Sequence, residues 1–75
     1  MDLVDFLINV HPELPDDKRS ELASEIHDVD GVVSASFSPG HPHLLEVVYN
    51  PDVVTSSAVL ARVSQHGIDA KKIGL

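Results

Sequence analysis

The chain has no cysteine. That excludes disulfides, thiolate nucleophiles and thiolate metal sites, and leaves the redox compartment unread. Basic residues are also scarce, with five Lys and Arg against twelve Asp and Glu, for a net charge of −7. Such a chain repels phosphate backbones and anionic lipid, which argues against nucleic acid and membrane as partners. A cation or a basic protein partner is electrostatically compatible. No apolar run approaches the roughly 20 residues of a membrane span. The start, Met1-Asp2-Leu3-Val4-Asp5, is acidic where a signal peptide is basic, which predicts a cytoplasmic protein. There is no Gly-rich phosphate loop and no nucleophile elbow, and nothing places a Ser beside a His with an orienting acid. An enzyme is therefore not expected.

What is present is enough for one small core. Seventy-five residues at 43% hydrophobic content predict a single globular domain over 1–75. Residues 2–10 alternate, with Val4, Phe6, Ile8 and Val10 on one side, as in a strand with one buried face. Pro12 and Pro15 end it. Asp16 or Asp17 supplies an N-cap for a helix to about Asp28, whose buried stripe is Leu22, Ile26 and Val29. Asp30-Gly31 turns the chain.

Residues 32–38 predict a second strand with Val33, Ala35 and Phe37 in phase. Pro39-Gly40 makes a turn. Residues 43–49 predict a third strand with Leu45, Val47 and Tyr49 in phase. Thr55 or Ser56 caps a second helix over 56–66, with Val59, Leu60 and Val63 inward and Gly67 at its end. Residues 68–74 give a last short strand. Lys71 and Lys72 suit its exposed edge, while the phase of Ala70, Ile73 and Leu75 is left open.

The order β-α-β-β-α-β, with right-handed crossovers, predicts an α+β ferredoxin-like sandwich: a four-stranded antiparallel sheet with both helices on one face. In that topology the loop after the first strand, the hairpin tip and the loop before the last strand share one end. His11, His41, His43 and His66 then gather there, with His27 at the other end. His41 and His43 stand two apart, and Pro42 favours extended geometry at His41, so both can project to one side. Imidazole nitrogen suits copper(II), zinc and nickel, and a carboxylate such as Glu13 can complete a site. His-Pro-His is not a motif in itself, and histidines in exposed loops are commonly just solvated. His66 also suits a helix C-terminus through its charged form.

The chain resembles the heavy-metal-associated domain family of small copper chaperones, mercury-binding proteins and soluble domains of metal-transporting P-type ATPases. Gly31-Val32, followed by Ala35 and Phe37, is similar to the family's Gly-Val entry into its second strand. Val47-Val48-Tyr49-Asn50-Pro51 is similar to its Tyr/Phe-Asp-Pro ending, with Asn for Asp. Val54 through Val63 and His66-Gly67-Ile68 look like its second helix and following Gly-Tyr. The resemblance implies the same fold and metal handling at the same end. The family's Cys-x-x-Cys is absent: counted back from Gly31, its cysteines fall on Pro15 and Lys18. Thiolate transfer of copper(I) is therefore not implied.

The expectation is a metal-binding or metal-trafficking protein with a histidine cluster (His41, His43, His11, His66) in place of Cys-x-x-Cys. No cofactor beyond a copper, zinc or nickel ion is implied. One rival is a metal-free interaction module. It would dimerise through the open sheet face bearing Leu3, Leu7, Val32 and Val48, or dock a basic partner on its acidic surface. Another is a pH sensor, in which neighbouring histidines titrate together.

Overall fold

A computed structural model describes residues 2–73. The elements are β1 (Val4–His11), α1 (Asp16–His27), β2 (Val32–Ser38), β3 (His41–Tyr49), α2 (Ser56–Ser64) and β4 (Asp69–Ile73). They form one sheet in the order β2-β3-β1-β4, with every adjacent pair antiparallel. This is the ferredoxin-like βαββαβ sandwich. Position 74, expected to end the last strand, and Leu75, whose phase the sequence leaves open, lie outside the described residues.

Alternation builds the core. Phe6 and Ile8 of β1 oppose Val47 and Leu45 of β3, and Val10 opposes Ala70 of β4, while Leu22 and Ile26 of α1 and Val59 and Val63 of α2 close over them. Phe6 and Tyr49 meet edge to face, with ring centroids 5.5 Å apart. This arrangement suits the ring quadrupoles. Val4, which shares their phase, lies at the end of the sheet and is exposed. Among the described residues no polar or charged side chain is buried.

Several local expectations are corrected. Pro15, not Asp16 or Asp17, occupies the N-cap of α1, and no side chain caps it. The two aspartates fall in the first turn, where their charge still complements the helix dipole. Thr55 does cap α2, its hydroxyl accepting from the Ala58 amide at 3.1 Å. α2 stops at Ser64, two residues early, and Gly67 takes a positive φ of 75° in the turn that follows.

In β2 the register slips between Val32 and Ser34. The slip turns Val32 onto the core and leaves Val33 48% exposed, the reverse of the simple alternation. β4 resolves its phase through β1. Ala70 opposes Val10 and Lys72 opposes Ile8 on the helix side, while Ile73 opposes Leu7 on the open face. Lys72 keeps its charge wet by lying along the edge. Its ammonium is 5.7 Å from the Phe6 ring centroid and 3.4 Å from the Ser56 hydroxyl.

Candidate functional site

β3 begins at His41, so the hairpin turn is only Pro39-Gly40, with Gly40 at φ 77°. Phe37 pairs with Leu45, but the next residue, Ser38, pairs with His41. Pro42, His43 and Leu44 therefore bulge out of the β2 ladder. A bulge is where a strand tolerates proline, which has no amide to donate. The bulge leaves both imidazoles exposed and adjacent, with centroids 6.0 Å apart and planes at 82°.

His11 is the last residue of β1, exposed, and opposite Asp69 of β4. His66 follows α2, and its Nε2 lies 2.9 Å from Oε2 of Glu25 on the third turn of α1. The pair sits in an open groove of about 450 Å³ between α1 and the β4 approach, walled by Leu14, Leu22 and Ile68. Lys18, one of the two positions where cysteines would align, lines the same groove and pairs with Glu21 at 3.3 Å. Pro15, the other, accepts from the Arg19 amide through its carbonyl. Arg19 clamps this loop, donating to the Leu14 carbonyl at 2.6 Å and pairing with Asp16.

The fold thus brings His41 beside His43, and His66 beside Glu25. Among the described residues no three His, Cys, Asp or Glu side chains are grouped to hold a metal ion. Glu25 was hidden in the sequence because its partner is forty-one positions away. Its only local signal was its place next to the buried Leu22 and Ile26.

No family model and no curated protein matches the sequence. Solved structures match the fold. A copper-binding domain from HMA7, a P-type ATPase, superposes with a TM-score of 0.83 at 17% identity over 93% of each chain. The CopZ metallochaperone gives 0.80 at 22% identity, covering 91% of this chain and 100% of that one. Oxidized MerP from Ralstonia metallidurans CH34 gives 0.84 at 10% identity, covering 97% and 100%. The chain shares the fold of these domains. At such identities the likeness is one of architecture.

Proposed function

We propose that the protein is a small metal-binding or metal-trafficking domain that takes a borderline, nitrogen-seeking ion, copper(II), zinc or nickel, through histidine. The observation that carries this reading is the His41–His43 pair. Two imidazoles sharing one ion, at metal–nitrogen distances of roughly 2 Å, place their centroids roughly 5–6 Å apart. The observed 6.0 Å falls at the upper end of that separation. His11 and His66 are further donors at the same end of the fold, with His66 available once it leaves Glu25. Copper(I) is disfavoured because it prefers thiolate or thioether sulfur. Likeness in fold to a copper-binding domain and a metallochaperone supports the reading without supplying its ligands.

Calorimetric titration with zinc, copper(II) and nickel tests it. Affinity in the micromolar range or better, lost in His41→Ala and His43→Ala, is the expected result. Unchanged affinity in both variants would refute it.

A second reading is a metal-free interaction module. It is favoured by the open sheet face, where Leu7 opposes Ile73 and lies near Leu44 and Val48. Val32, expected on that face, packs against the core instead. Docking of a basic protein on the acidic surface belongs to this reading too. Absence of any metal response, with self-association lost in Leu7→Lys, would favour it.

A further inference from the structure

Apolar side chains left on the surface are concentrated at one place. Among the described residues five large ones stand exposed, and four of them, Leu3, Val4, Val33 and Val53, lie at the end of the fold opposite His41 and His43. Val4 pairs with Tyr49, which pairs on its other side with Val32. Val4 and Val32 therefore stand two strand spacings, or about 10 Å, apart. Val33 is the residue skipped where the β2 register slips, and Val53 lies against Gly31, two positions before it. Val53 is the most exposed of the five at 59%, yet its turn is fixed. The amides of Val53 and Val54 donate to the Asn50 carbonyl at 3.0 and 3.1 Å, and the Asp52 amide donates to the Asn50 side chain at 3.0 Å. Single exposed apolar residues are ordinary, but a group held out on a fixed turn is pre-organised for contact.

Charge divides along the same axis. Asp2, Asp28, Asp30 and Asp52 lie at this end, all exposed. The basic residues lie elsewhere. Lys18 and Arg19 stand in the first turn of α1 and Arg62 in the last turn of α2, both at the histidine end. Lys71 opposes Asn9, in the half of β1 nearer the histidines. Only Lys72 leans the other way, its ammonium 3.4 Å from Ser56 at the start of α2, on the β4 flank and away from β2. The three ion pairs among the described residues all involve α1 side chains and none of these four aspartates.

We propose that this end of the fold docks a short basic segment of another protein, an aliphatic anchor flanked by lysine or arginine. The proposal rests on the basic-partner reading above for the partner's chemistry, and gives that partner a surface. The anchor covers Val33 and Val53, and the flanking cations meet Asp28, Asp30 and Asp52. A second copy of the chain does not fit, because it brings the same aspartates and like charges oppose. Four partly exposed side chains also fall well short of the roughly 800 Å² that a standard interface buries on each partner. The occupant is therefore a segment rather than a folded face, and it binds weakly, with a Kd of roughly 50 µM. Eight residue steps of β3, about 26 Å, separate Tyr49 at this end from His41. An ion at the histidines and a segment here can thus occupy one chain together.

An NMR titration of the full chain with two synthetic peptides tests this: Lys-Lys-Leu-Val-Lys-Lys, and the same peptide with serine in place of Leu and Val. The first should shift the amides of Leu3, Val33 and Val53, and the second should bind at least about fivefold more weakly. Raising NaCl from about 20 to about 200 mM should weaken the first by about tenfold. Val33→Ser and Val53→Ser, at exposed positions, should each weaken it at least about threefold while the remaining amide signals stay in place. Equimolar zinc should leave the affinity unchanged. Shifts centred instead on Asp16, Asp17 and Glu21 of α1 would overturn the inference and leave the basic-partner reading standing. Equal binding of the two peptides, or full affinity in both valine variants, would also overturn it. No shift with either peptide would remove the basic-partner reading, and this surface with it.

Discussion

His66 and Glu25 face each other at 2.9 Å, tying the segment after α2 to the third turn of α1. Both side chains remain more than a third exposed, so solvent screens the pair strongly. His66→Ala and Glu25→Gln should each cost no more than about 0.5 kcal/mol in urea denaturation, with a coupling of similar size in the double-mutant cycle. Among the four end histidines, His66→Ala should affect metal affinity least, because His66 already has a partner.

Gly31 is held where no other residue fits. Its φ is 94°, and a Cβ there would meet Val54 Cγ1 at 2.8 Å and Val53 Cβ at 2.9 Å. Its carbonyl also accepts from the Asn50 amide at 2.7 Å, so the turn cannot move aside freely. Gly31→Ala should destabilise by about 2 kcal/mol or more. Gly40→Ala and Gly67→Ala meet nothing within 4 Å and should cost about 1 kcal/mol each, from positive φ alone. Thermal melts of the three variants check the order.

Ile26 is fully buried on the inward face of α1, in its last turn. Ile26→Ala should cost about 3 kcal/mol, a large share of the stability of so small a domain. Thr55→Ala removes the α2 cap and should cost about 1 kcal/mol. Asp16→Asn, with no cap to lose, should cost only a few tenths.

The core-facing positions were legible because they obey simple periods. Phe6, Ile8 and Val10 at spacing two, and Leu22 and Ile26 at spacing four, are all buried as expected. Legibility failed where one residue breaks the period. The slip between Val32 and Ser34 exchanged the faces of Val32 and Val33, and no composition signal marks it. Lys72 hid the phase of β4 because a long stem can cover apolar surface at an inward position. For the candidate site residues, the order of elements gave no means of telling which side chains meet. Glu25 for His66, Asp69 opposite His11 and the bulge that sets His41 beside His43 all depend on tertiary register.

Metal affinity should fall as pH is lowered, because protons compete with the ion for imidazole nitrogen. Zinc binding at about pH 5.5 should be at least about tenfold weaker than at about pH 7.5. Affinity that is flat over this range would point to carboxylates alone as the ligands.

The most direct measurement is a proton–nitrogen NMR titration of the metal-free protein with zinc, then copper(II), then nickel, following the five imidazoles. Selective shifts or broadening at His41 and His43 at stoichiometric metal, smaller effects at His11 and His66, and a quiet His27 are expected. Uniform weak shifts, or none at one equivalent, would contradict it and turn attention to the sheet as a protein-binding surface.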